Sequence, residues 1–212
     1  MKVKSVVLVM SLICLSFVTI KAQSVQIKST ACDVFYRGVK NPVSIEAKGS
    51  DGVMPSISDG AKIYSGKVSG FDGQYVVEIT DPDVKSVKIS FGEATSEFKV
   101  QGLPTPAITI GGYKVDDEVP VSVFSKSAQL DAVIDDANFP FKDVKYTVTQ
   151  FTYMKEADGI TSSQLVTGNK IPADILKDIK KKSSGDSIAF IGIKVSTPAG
   201  PKNAPGFTAK LK

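Results

Sequence analysis

From Ser24 onward the chain alternates. Apolar side chains recur at every second position in short runs, and Gly, Pro, Asn or Asp closes each run. Period two is what a strand half-buried on a core requires, so the chain is predicted to be all-β. The clearest run sets Val43, Ile45 and Ala47 against Ser44, Glu46 and Lys48. It follows an aromatic pair, Phe35-Tyr36, and two turn signals, Arg37-Gly38 and Asn41-Pro42. Tyr75-Val76-Val77-Glu78-Ile79 comes next to Asp72-Gly73, a dipeptide suited to tight hairpins. Val87, Ile89 and Phe91 share one face of a run from Ser86, and Ser96 to Val100 follows a turn. With weaker candidates at 24–28, 34–36 and 61–68, that makes about seven strands in roughly 80 residues, the spacing of an immunoglobulin-like sandwich.

Gly102-Leu103-Pro104-Thr105-Pro106 is the internal boundary, because two prolines stiffen the chain and end any ladder. Strands then resume at Ala107–Ile110, Tyr113–Val115, Val119–Phe124 and 127–134. Asp143 to Tyr153 is the longest, with Val144, Tyr146, Val148 and Gln150 expected opposite Lys145, Thr147, Thr149 and Phe151. Asp158-Gly159 turns the chain. Between Ile171 and Lys182 the period changes: Ile171, Ile175, Leu176 and Ile179 recur at three and four after Pro172. One amphipathic helix of about three turns is expected, with Lys180-Lys181-Lys182 at its negative end. Ile188–Ser196 and Phe207–Leu211 close the series as strands around a rigid polar loop, Pro198-Ala199-Gly200-Pro201-Lys202-Asn203. The fold class expected is therefore two tandem immunoglobulin-like β-sandwich domains, residues 23–102 and 103–212, the second with one short helix.

Residues 1–22 stand apart. Lys2 and Lys4 precede an apolar run from Val6 to Ile20, and Ala22 precedes polar sequence, the layout of a secretory signal peptide. As a helix the run is about 22 Å long, short of the roughly 30 Å hydrocarbon core. Cys14 would suit a lipid anchor poorly, since it lies mid-run with bulky Ile13 before it. Export to the periplasm or outer envelope is expected, ahead of a lipid or inner-membrane anchor. Without Lys2, Lys4 and Lys21 the net charge falls from +4 to +1. With no concentrated basic face apart from Lys180 to Lys182, nucleic-acid binding is not expected. Cys32 is then the sole cysteine, so the cores rest on apolar burial rather than disulfides, and Cys32 reads as a buried small residue.

The chain contains no histidine. The commonest general base, the usual serine triad and most zinc sites are removed with it. Asp116-Asp117-Glu118, Asp135-Asp136 and Asp81-Pro82-Asp83 could ligate a cation, and paired acids could serve acid–base chemistry, but turn formation explains each. No catalytic residue, metal or cofactor is expected. Tyr36 beside Arg37 suits either an exposed recognition patch or a core aromatic.

In their order, these features resemble the C-terminal part of GldM (PorM), the periplasmic shaft protein of gliding motility and type IX secretion. VFYRGVKNPVSIEA resembles the entry to the family's third domain, and Asp72-Gly73-Gln74-Tyr75-Val76-Val77 its later Gly–aromatic strand. Leu103-Pro104-Thr105-Pro106-Ala107 with Gly111-Gly112 resembles the crossing into the last domain. Ala128 to Tyr153, centred on Asn138-Phe139-Pro140-Phe141, is similar to that domain's central region. The resemblance implies tandem sandwiches, a non-enzymatic role, envelope protein partners such as type IX secretion ring components, and homodimers. A cleavable leader stands where the family has a membrane helix, so a torque-bearing role is not implied. The candidate interaction surface is the second domain with Pro198, Gly200, Pro201, Lys202 and Asn203. An adhesin-like or glycan-binding sandwich is the alternative, favoured if Tyr64, Tyr113 and Tyr153 share an exposed face.

Overall fold

The computed structural model describes residues 25–47, 53–124, 128–157 and 160–212. The expected leader, Cys14, the turn cluster at 49–52 and the Asp158-Gly159 turn lie outside the described residues.

The first module has eight strands among the described residues: β1 (Gln26–Ser29), β2 (Val34–Tyr36), β3 (Asn41–Glu46), β4 (Ser56–Ile57), β5 (Ala61–Ser65), β6 (Tyr75–Ile79), β7 (Ser86–Phe91) and β8 (Ala94–Gln101). They form two four-stranded sheets, β1-β3-β6-β5 and β2-β8-β7-β4. All neighbours are antiparallel except β2, which runs parallel to β8. The inward side of each alternation fills the space between the sheets, where Phe35, Val43, Val77, Ile89 and Phe98 are buried. Phe35 stacks on Phe98 with ring centroids 4.6 Å apart.

Asp72-Gly73 is not the expected hairpin turn. β5 meets β6 with Ser65 opposite Tyr75, so the connection is a long loop rather than a two-residue turn. Gly73, at φ +140°, lies against β3: a Cβ there would sit 2.8 Å from the Val43 carbonyl oxygen. Gln74 completes the contact, its side-chain oxygen accepting from the Ile45 amide.

The second module places β9 (Ala107–Ile110) against β11 (Leu130–Val133) as a two-stranded sheet. Facing it is a larger sheet in the order β10 (Glu118–Val119), β16 (Phe207–Leu211), β14 (Ser187–Thr197), β12 (Thr147–Ala157), β13 (Ile160–Thr167). β15 (Gly200–Asn203) pairs with the far half of β14, on the edge whose near half takes β16. Helix α1 (Ala173–Ile179) adds Ile175, Leu176 and Ile179 to a core with Phe151, Phe190 and Phe207.

Several expectations are corrected here. Tyr113–Val115 forms one bridge, Tyr113 to Ile110, rather than a strand. Pairing at 119–124 stops at Val119, because Pro120 cannot extend a ladder and starts a single 3-10 turn at Val121–Val123. The helix has seven residues, two turns rather than three; Lys181 and Lys182 close turns beyond it. The polar loop after β14 is mostly strand β15. β12 begins four residues later than expected, at Thr147, and its alternation is broken. Register shifts against β14 fall between Val148 and Gln150 and between Gln150 and Thr152. Phe151, expected opposite Val148, is thereby turned inward with it, and both are buried.

Candidate functional site

The turn entering β3 is organised by one amide. Asn41 is 1% exposed. Its Oδ1 accepts from the Tyr36 amide at 2.8 Å, and its Nδ2 faces the carbonyl oxygens of Tyr36, Val39 and Val77 at 3.0, 3.2 and 3.2 Å. The Arg37 guanidinium donates to the Val84 carbonyl, and the Arg37 amide to Gln101. The 36–41 turn is thus fixed to its own module from three sides.

Its outer side meets the second module. Gly38 has φ +79°, a backbone that favours glycine, and a Cβ on it would lie 2.5 Å from the Ala199 nitrogen. Tyr36 is not an exposed patch: half-buried, it packs across the seam against the second module's core rather than its own. Its ring stands edge-on to Phe139 and Phe141, with centroids at 5.1 and 6.1 Å. Phe71, from the loop between β5 and β6, tilts onto Phe141 at 5.3 Å. Edge-to-face geometry sets the positive ring edge against a negative face, beyond what burial alone supplies. Burial pushes the Tyr36 phenol above its ordinary pKa.

The linker belongs to the second module. Leu103 is buried in its core. The Leu103 carbonyl accepts from Lys202 Nζ at 2.6 Å, and the Pro104 carbonyl from the Tyr146 hydroxyl at 2.9 Å. Burial lowers the Lys202 ammonium pKa.

The sequence-predicted surface is therefore divided. Lys202 is half-buried on the Leu103 carbonyl and Ala199, though exposed, lies against Gly38, while Pro198, Pro201 and Asn203 are exposed without such a contact. Gly200 lies half-buried where β15 begins, opposite Thr197, and accepts from its hydroxyl. The three tyrosines named for glycan binding share no exposed face. Tyr153 is buried and donates to Asp178 at 2.8 Å, Tyr113 packs half-buried against the second core, and Tyr64 lies on β5 of the first module.

The acidic pairs are engaged locally. Asp117 accepts from the Lys114 amide, Asp135 pairs with Lys114 Nζ at 2.6 Å, and Asp136 accepts from the Asn138 amide. Asp116 accepts from Thr208, and Asp81 caps the Asp83 amide. Asp178 lies between Tyr153 and Lys155, the latter at 3.1 Å. Desolvation opposes its charge, yet the bonds from Tyr153 and Lys155 hold its carboxyl below the usual range. The half-buried Cys32 donates to the Val34 carbonyl, and desolvation raises its pKa, which makes it a poor nucleophile.

Sequence reading passed over β13. Its eight residues, ITSSQLVT, carry no charge and no proline, and seven of them are exposed. It closes one end of the large sheet, so its outer backbone groups face away from any described strand. Other open edges are charged, broken by proline or short: β1 carries Lys28, β5 Lys62 and β11 Asp131, β15 contains Pro201 and Lys202, β4 and β10 have two residues each, and the uncharged β2 and β9 have only three and four. Leu165 and Ile191, 63% and 42% exposed, both sit opposite Thr152 and so share the sheet's outer face with it. The signal was faint because a strand exposed on both faces has no apolar period.

Two β-sandwich modules, fixed by a linker buried in one of them and by an aromatic seam, define an immunoglobulin-like tandem. Residues 104–206 match the family model described as the GldM C-terminal domain, so the second module is a GldM-like C-terminal domain. The match covers about half of the chain and leaves the first module outside it. No curated protein matches. Among solved structures, domains 4–9 of the surface layer protein SbsC share 14% identity, covering 90% of this chain and 31% of that one, with TM-score 0.28. The tandem Ig repeats of Dlar share 6% identity over 90% and 99%, also at 0.28. Fibronectin(III)-like modules of Clostridium thermocellum CbhA share 15% over 89% and 93%, at 0.21. Scores this low say nothing of function.

Proposed function

We propose that this is a non-enzymatic, exported envelope protein. Its GldM-type module docks onto protein components of the gliding-motility or type IX secretion machinery. The open edge of β13 carries this reading. Natural sheets protect their edges with charge, proline or brevity, because unpaired backbone groups recruit foreign strands. An eight-residue edge with none of these devices is suited to strand addition, with Leu165 and Ile191 giving a partner apolar purchase beside it. The family of the module supplies the setting, and the leader expected over residues 1–22 supplies the compartment. Among the described residues no helix is long and apolar enough to cross a membrane.

The test is photo-crosslinking in the native envelope from a probe at Ser163, with mass spectrometry of the adducts. Ring or motor-stalk proteins should be captured, and Leu165→Lys should abolish the adduct while the protein remains folded. Capture of glycan-bearing surface material, or of no protein, would overturn the assignment. Adducts only between copies of this chain would replace it with a homodimer.

A further inference from the structure

Beside the aromatic seam lies a cavity of ≈ 490 Å³ with walls from both modules. The 38–40 turn and the loop bearing Val68 and Phe71 form one wall; Pro140, Phe141 and Val144 form the other, with Pro198 between them. The interior is apolar, but the lining also includes Lys40, Lys142 and Lys145, all exposed, against a single acid, Asp143. None of the three lysines is in an ion pair among the described residues. Lys142 donates to the Phe139 carbonyl, leaving donors to spare. In a chain whose charge beyond residue 22 is only +1, three cations against one anion around an apolar well is a local imbalance.

We propose that this inter-module cavity binds an extended acidic segment of a partner protein that carries one large apolar side chain. The apolar side chain lies against the packed Phe71–Phe141 pair, bounded by Val39, Val68 and Pro140, and flanking carboxylates meet Lys40, Lys142 and Lys145. Charge complementarity selects the acid and the apolar walls select the anchor. A nucleic acid would need a far longer basic track than three lysines. The proposal rests on the protein-docking reading but uses a different surface from β13.

The probe is a fluorescein-labelled peptide, acetyl-Glu-Asp-Glu-Phe-Asp-Glu-amide, titrated with the protein and followed by anisotropy. Binding is expected to weaken at least tenfold in Lys142→Glu/Lys145→Glu, to weaken with added salt, and to be lost when the peptide's Phe becomes Ser. Both lysines are exposed, and circular dichroism verifies that the variant is folded. Equal binding of a peptide with every acid replaced by Lys, or unchanged binding by the double variant, would overturn the proposal. Preference for phosphatidylglycerol vesicles over the peptide would also overturn it. Leu165→Lys separates the two readings, because it should remove envelope capture at β13 and leave peptide affinity unchanged. Loss of peptide binding with β13 capture intact sinks the cavity alone.

Discussion

Asn41 shows how much one buried amide can organise. It accepts from the Tyr36 amide and faces the carbonyl oxygens of Tyr36, Val39 and Val77. Asn41→Ala should cost about 2–3 kcal/mol, because partners are left buried and unpaired; the urea midpoint measures it. Gly38→Ala meets both a positive φ and the Ala199 backbone. It should cost about 1–3 kcal/mol and open the seam, which small-angle scattering would read as a larger radius of gyration. The Tyr153–Asp178–Lys155 trio sets a pH dependence. Asp178 titrates below its unfolded value of about 3.9, so its contribution is whole above that pH and fades as pH falls through the folded value. Burial, then the bond to Asp178, pushes the Tyr153 phenol up, so its contribution is whole below about 10 and is lost as pH rises further. Tyr153→Phe should remove the alkaline loss, weaken the acid one, and cost about 1 kcal/mol at neutral pH. Denaturation midpoints followed across pH would show both limbs.

At the scale of elements, legibility tracked burial on one face. β7 and β16 follow their apolar alternation because one side of each meets a core. The fold class was legible for the same reason. β12 was misread in phase, since the irregularity near Gln150 adds a step that alternation cannot carry. β13 left no period at all. Val119–Phe124 looked like a strand because β-branched residues suit one, yet Pro120 decided the matter. The candidate site was half legible: Pro198 to Asn203 does reach a junction, but Lys202 is drawn onto the Leu103 carbonyl and Ala199 lies against Gly38, contacts that composition cannot reveal. Leu165→Lys belongs to this scale. As an exposed edge change it should alter stability by no more than about 0.5 kcal/mol, measured by thermal melting, while adding the charge that β1 and β5 already carry.

For the whole molecule, the seam decides whether two sandwiches behave as one body. Tyr36 and Phe139 come from different modules, so a double-mutant cycle with Tyr36→Leu and Phe139→Leu isolates what crosses the boundary. A coupling of about 0.5–1.5 kcal/mol is expected, and a value near zero would mean that the modules melt independently. The linker points the same way, with Leu103 in the second core and its carbonyl held by Lys202. Gly38 touching Ala199 has a further consequence, for inheritance. A recombination event that swapped the first module for another sandwich would have to supply a residue without a side chain at that spot.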